Sequence, residues 1–350
     1  MKILYIGDAF QHSTSTHRAN ALRRLGHEIT HINPRATLPH WRIVGGLSVR
    51  LGYGIFAPLI NQVVKKALTR QTFDLAWIDA GSELGPAVYH LLRRSGLRII
   101  NYNVDDPFSS RDGRKWNLYR KSVSLQDLTV VVREENVAEA KAAGARRVLR
   151  VYRSFDPVAH SPVELTEGDR IKWNSKVSFI GTWMPERGPF MASLIKQGVP
   201  LSIWGDWWQK APEWPVIQKV WRGYGIYGRD FVAATQCSKV ALGLLSKGNR
   251  DLHTTRSAEV PYIAGPVFCA ERTREHSYMY KENEEAVFWE NVDECATQCF
   301  RLIGDETLQR RIVVNGRRRV EAWQLSNDAI IQDILKVNSG GVSQHPLVFA

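Results

Sequence analysis

Short apolar runs recur along the chain, separated by stretches of helical periodicity. The first series occupies residues 2–7, 28–33, 73–79, 98–103, 128–132 and 147–152. After a polar, proline-containing stretch from Ser154 to Trp173 the pattern restarts, at 176–182, 201–205, 225–228, 239–245, 265–271 and 286–290. Runs of this length alternating with helical patterns of about 10 to 15 residues predict parallel strands joined by right-handed crossovers. Two such series predict an α/β protein with two Rossmann-like domains, over 1–160 and 170–323.

Helix signals agree. STSTHRANALRRLGHE has apolar Ala19, Leu22 and Leu25 at helical spacing, Ser/Thr residues to cap its start and Gly26 as its stop. REENVAEAKAAGA ends on Gly144 in the same way, and residues 291–337 read as almost wholly helical, with breaks near Gly304 and near Leu325 and Ser326. The tail from Asn338 reads as disordered.

The length, 350 residues, exceeds what one hydrophobic core usually serves, which supports two domains. No apolar run approaches the ~20 residues that span a bilayer, and MKILYIGDAF turns polar too soon for a signal peptide, so a cytoplasmic protein is expected. Cys237, Cys269, Cys295 and Cys299 show no C-x-x-C spacing, so neither a disulfide framework nor a zinc site is expected. A net charge of +12 suits a phosphorylated substrate, anionic lipid or nucleic acid. The basic residues are dispersed in pairs and triplets rather than gathered in one reading head, which makes nucleic acid the minority expectation.

The most informative stretch is Asp251 to Glu271, DLHTTRSAEVPYIAGPVFCAE. Its polar turn, Asp251, His253, Thr254 and Thr255, opens a helix. Thr254 and Thr255 are placed to cap backbone N–H groups, the helix dipole favours a phosphate, and Arg250 and Arg256 add positive charge. Glu259, one turn on, suits a ribose diol. In GTWMPERGPF, Arg187 opens a helix directly after a strand, and LLSKGNRDLHTT supplies Lys247. Cations converging from separate loops neutralise a diphosphate without a metal, so no metal or other cofactor is expected. Trp204, Trp207 and Trp208 are candidates for a stacking wall.

In the first domain GDAFQHSTSTHR has only Gly7 of a dinucleotide fingerprint, which argues against a nicotinamide or flavin enzyme. His12 or His17 in this polar turn can act as a base near neutral pH. NYNVDDPF places Asp105 and Asp106 at a strand's carboxyl end, where open α/β sheets bind ligands, and one of these acids is the leading acid/base candidate, with Asp79 next. From Pro34 to Arg70 the chain mixes Trp41, Phe56 and other apolar residues with Arg42, Arg50, Lys65 and Lys66. That mixture fits either a lid on the first domain or peripheral contact with an anionic membrane.

MKILYIG with LGHEIT, NYNVDDPF, AGARRVLRVYRSFDPVAHSP, SFIGTWMPERGPF, DLHTTRSAEVPYIAGPVFCAERTREH and EEAVFW together resemble the CgeB-like glycosyltransferases of the GT-B superfamily. The resemblance implies two Rossmann-like domains facing across a cleft, with the nucleotide-sugar donor in the C-terminal domain and the acceptor mainly in the N-terminal one. A last helix, about 325–337, crosses back to the first domain. It assigns Arg187, with Lys247 or Arg250, to phosphate binding. An acid, seven intervening residues and a ribose-binding glutamate become Asp251 and Glu259. Related retaining enzymes have Glu in the first position, and their glycine-rich first loop is replaced here by the Ser/Thr/His run. The implied activity is metal-independent transfer of a sugar from a UDP-, GDP- or TDP-type donor to a hydroxyl on a glycan, a lipid-linked acceptor or a protein. In a retaining reaction the leaving phosphate itself can be the base. The alternatives are a catalytically idle nucleotide-sugar or polysaccharide-binding protein and a nucleic-acid-binding or modifying protein.

Overall fold

The computed structural model describes residues 1–38, 46, 50–346 and 348–349. The chain divides into two compact units. The first comprises Met1–Tyr152, Gly248–Arg250 and Asn327–Ala350; the second comprises Arg153–Lys247 and Asp251–Ser326.

The sheet of the first unit contains β1 (Lys2–Ile6), β2 (Glu28–Ile32), β3 (Leu75–Asp79), β4 (Arg98–Asn103), β5 (Leu128–Val131) and β6 (Val148–Val151), all parallel, in the order β6-β5-β4-β3-β1-β2. The central strands are near-continuous apolar runs because helices cover both their faces. One face packs Ile3, Tyr5, Trp77, Ile100 and Val130, and the other packs Leu4, Ile6, Ile78 and Ile99. Each such fully buried large side chain contributes roughly 1.5–3 kcal/mol.

The helix Asn327–Asn338 belongs to this unit. Its Ile330, Ile331, Ile334 and Val337 join the core beside Ala21 and Leu22 of the helix Thr14–Arg24. Arg24 and Asp328 form a bidentate pair between the two helices, at 2.6 and 2.8 Å. Ser13 caps the helix Thr14–Arg24 through its hydroxyl, which accepts the Thr16 N–H. Gly7 lets that helix approach the sheet closely: a Cβ there would lie 2.5 Å from Ser15 Oγ and 2.9 Å from Asp79 Cβ.

The second sheet contains β7 (Ser175–Ile180), β8 (Leu201–Trp204), β9 (Trp221–Gly223), β10 (Ser238–Gly243), β11 (Val267–Glu271) and β12 (Val287–Trp289). All are parallel, in the order β12-β11-β10-β7-β8-β9. Cys269, Cys295 and Cys299 are buried in its core, and Cys237 is half-buried. The helices Val292–Gly304 and Glu306–Ala322 complete the unit.

Two expectations are corrected. The third strand of the second series is Trp221–Gly223, not residues 225–228. There Gly225 donates its N–H to Asp206, and Gly228 already opens the helix Gly228–Gln236, so this glycine-rich stretch makes a turn. The tail is not wholly irregular, since β13 (Val348–Phe349) pairs antiparallel with β6. No helix among the described residues is long and apolar enough to cross a membrane.

Candidate functional site

Strand order marks one point in each sheet where successive crossovers leave in opposite directions, and open α/β sheets bind ligands outside the carboxyl ends there. In the second sheet that point lies between β7 and β10. Arg187 spans it. Its guanidinium donates to the carbonyl of Thr182 after β7 (2.7 Å) and to that of Leu244 after β10 (3.1 Å). The residue is 7% exposed, its Nε has no hydrogen-bond partner, and no carboxylate among the described residues forms an ion pair with it. Burial pulls its pKa down to about 10, against the weaker opposing pull of Glu186, Asp251 and Glu271. A buried guanidinium bonded only to backbone carbonyls is a cation lacking a counter-anion, and such charges are normally paired.

Arg187 lines a cavity of about 460 Å³ with Phe190, Leu244, Lys247, Glu271 and Trp289. Lys247 reaches Glu271 with its ammonium group and gives its backbone N–H to Glu186 (3.0 Å).

The turn before the helix Arg256–Ile263 is tightly braced. Arg153 donates to Asp251 (3.1 Å) and to the His253 carbonyl (2.9 Å), and its backbone N–H donates to His253 Nε2 (2.9 Å). His253 Nδ1 meets Glu275, and burial is the largest cause lowering the histidine's pKa. Thr255 occupies the cap position without a side-chain cap bond, and the Thr254 N–H goes to Ser257 Oγ (3.0 Å). Capping by the two threonines, expected from sequence, is therefore not what the structure shows. The N–H groups of Thr255 and Arg256 meet no acceptor among the described residues, which leaves the helix opening available to an anion.

Pro261 inside the helix cannot bond the Ser257 carbonyl, and the Tyr280 hydroxyl donates to that carbonyl instead. Glu259 is 2% exposed and holds Arg256, whose guanidinium lies over the Phe231 ring (4.2 Å) and reaches the last carbonyl of β7, at Ile180 (3.4 Å).

Of the three tryptophans, Trp204 and Trp208 are core, and Trp208 donates its indole N–H to Gly181 (3.0 Å). Trp207 is 58% exposed with a left-handed backbone (φ 67°), so only this one can present a face.

The first sheet's reversal point lies between β1 and β3. A cavity of about 150 Å³ opens there, lined by Asp8, Ser13, Thr14, Arg18, Arg35, Asp79, Glu83 and Asp105 among others. Asp79 is committed to Arg18 (2.6 and 2.9 Å) and to the Tyr5 hydroxyl (2.8 Å). The structure separates the two adjacent acids. Asp105 is half-buried, 3.9 Å from Lys115, and faces this cavity.

Asp106 is fully buried and accepts from Phe108 and Ser109 N–H, Asn136 and Arg250. Burial raises its pKa, but hydrogen bonds from Arg250 and Asn136 outweigh that and hold it below the usual carboxylate range, which suits an anchor and not a base. Arg250 also grips Glu139 (2.9 Å), so its charge is matched within the first unit. His17 is 8% exposed and is not among the residues lining the cavity. Trp41 and Arg42 lie outside the described residues. Among the described residues no group of three or more His, Cys, Asp or Glu could hold a metal ion.

Sequence reasoning missed the part played by Arg153 and His160, which sit about one hundred positions from their partners Asp251 and Glu259. Their signal in the sequence is the stretch RSFDPVAHSP, part of the family resemblance.

Residues 187–336, which carry Arg187, Lys247 and Glu259, match the family described as glycosyl transferase-like. Solved structures extend the likeness to both units. One, from Anabaena, is HepE in complex with UDP-glucose: 14% identity, 97% of this chain and 100% of that chain covered, TM-score 0.68. Another is an OtsA apo structure: 12% identity, coverages of 98% and 100%, TM-score 0.68. Residues 187–336 thus carry a glycosyl transferase-like domain. The chain's two parallel sheets, each flanked by helices, are those of the GT-B fold. A structure of a putative UDP-N-acetylglucosamine 2-epimerase from Listeria monocytogenes also matches, at 9% identity, coverages of 99% and 98% and TM-score 0.58. No curated protein matches the sequence.

Proposed function

We propose that this protein is a glycosyltransferase that moves a sugar from a nucleoside-diphosphate sugar, of UDP, GDP or TDP type, to a hydroxyl-bearing acceptor, and needs no divalent metal. The observation that carries the reading is Arg187, a buried cation that no carboxylate among the described residues pairs with, at the reversal point of the second sheet. A diphosphate supplies the missing charge. Lys247 and the open N–H groups of Thr255 and Arg256 add donors, and fixed donors of this kind stabilise the charge that develops on a leaving diphosphate. Glu259 accepts the ribose hydroxyls. That the relatives' structures hold UDP or UDP-glucose supports the same donor class.

Asp105, on the first-unit cavity, is the acid best placed to orient or deprotonate an acceptor hydroxyl. Asp106 braces the turn at Phe108, and Asp251 and His253 are fastened to Arg153. A CgeB-like subfamily and a cytoplasmic location fit this reading. To test it, the purified chain is incubated with UDP-, GDP- and TDP-sugars in EDTA and nucleotide release is followed. Release from one of them, undiminished by chelation, is expected. Activity abolished by EDTA and restored by magnesium or manganese would overturn the cation assignment.

A secondary proposal concerns an anionic membrane carrying the acceptor. Leu51, Ile55 and Leu59 are exposed beside Lys65, Lys66 and Arg70, a pairing of apolar burial with about 1 kcal/mol per basic residue near a negative surface. Co-sedimentation with anionic but not neutral vesicles, lost when Lys65 and Lys66 are changed to Gln, is expected. Equal recovery in both supernatants would leave this segment as a cover over the first unit.

A further inference from the structure

Both acids of the Asp251–Glu259 pair are held by one short segment, Arg153 to His160, at the start of the second unit. Arg153 takes Asp251. His160 lies 3.5 Å from Glu259 through Nε2 and is 5% exposed. Its tautomer follows from the other ring nitrogen. Nδ1 faces the Asp156 backbone N–H at 2.9 Å and must accept, so in the neutral ring the proton is on Nε2, on the side of Glu259.

The segment is itself rigid. Asp156 Oδ1 accepts the N–H groups of Val158 (3.0 Å) and Ala159 (2.9 Å). Phe155 stacks on Tyr262 at 3.9 Å, and the Tyr262 hydroxyl donates to the Pro157 carbonyl (3.1 Å). Tyr262 lies on the same helix as Glu259, so the turn that carries His160 is fastened to the helix that carries the carboxylate.

We infer that His160 is a positioning residue of the donor site: its Nε2–H steadies one oxygen of Glu259 while Arg256 holds the other, so that the carboxylate keeps the orientation in which it meets a diol. The inference rests on the proposed donor site and adds the segment Arg153–His160 to it as a structural wall. A carboxylate held at both oxygens keeps one orientation, which is what recognition of two adjacent hydroxyls requires. Since His160 acts through Glu259, its loss raises the donor KM and spares kcat.

The test is calorimetric titration of the full chain and its variants with UDP, GDP and TDP, with melting temperatures measured alongside. For whichever nucleotide binds, His160→Ala is expected to weaken affinity about tenfold. His160→Gln, whose amide N–H can replace Nε2–H, should stay within about threefold. The double variant His160→Ala, Glu259→Ala should be no weaker than Glu259→Ala alone, the coupling expected of one interaction. Unchanged affinity in His160→Ala, or additive losses in the double variant, while Glu259→Ala weakens binding, overturns the role of His160 and leaves the donor site standing. Unchanged affinity in Glu259→Ala, or no binding of any nucleotide to the unaltered chain, overturns both.

Discussion

Changing Arg187 to methionine is expected to weaken nucleoside-diphosphate binding about a hundredfold while leaving the melting temperature of the free protein unchanged or raised. The loss corresponds to roughly 2.7 kcal/mol, within the range for hydrogen bonds to a charged group. The stability result follows from the sign of the linkage. Arginine has its ordinary pKa in the unfolded chain and about 10 here, so the folded state holds this proton less tightly, and the charged residue costs the fold stability throughout the neutral range. That cost is relieved only as pH rises through about 10 and above. Methionine keeps much of the apolar stem and removes the charge, and exchanging buried charge for apolar volume is often neutral or stabilising. Calorimetry with UDP, GDP and TDP, beside thermal melts without nucleotide, reads both halves. A variant that melts much lower would make Arg187 an ordinary structural residue, satisfied by its two carbonyls.

Glu259→Ala is expected to weaken the same nucleotide about tenfold, near 1.4 kcal/mol, through loss of hydrogen bonds to the ribose. The carboxylate is buried while the Arg256 side chain keeps 32% of its surface, so the arginine released by the change can be solvated and the fold should survive. Comparison of ribo- with 2′-deoxyribonucleoside diphosphates sharpens the assignment. The unaltered chain should prefer the ribose form, and the variant should lose that preference. Equal binding of both sugars by the unaltered chain would take Glu259 away from the diol.

Strand placement was legible because buried parallel strands are written as apolar runs, and eleven of the twelve expected runs overlap the strands found. The exception, residues 225–228, failed where glycines and a tyrosine imitate a short strand but the backbone turns to meet Asp206. Arg187 and Glu259 were legible as residue types at the starts of helices following strands. What could not be read was commitment. Arg250 and Arg187 look alike in sequence, yet one is matched by Asp106 and Glu139 and the other by no carboxylate among the described residues. Asp105 and Asp106 are neighbours, yet one faces a cavity and the other is consumed by five donor groups of four residues. Such differences depend on contacts between residues far apart in the chain, as does the bracing of Asp251 by Arg153, and local periodicity carries no trace of them.

The proposed role of the second unit is to hold a nucleoside diphosphate on Arg187 and Glu259. Its most direct test is titration of the intact, unaltered chain with UDP, GDP and TDP in buffer containing EDTA. Binding of one of the three at about one per chain, with affinity that falls in Arg187→Met, is expected. A folded chain that binds none of them without metal, or that binds one equally well after Arg187→Met, would contradict it.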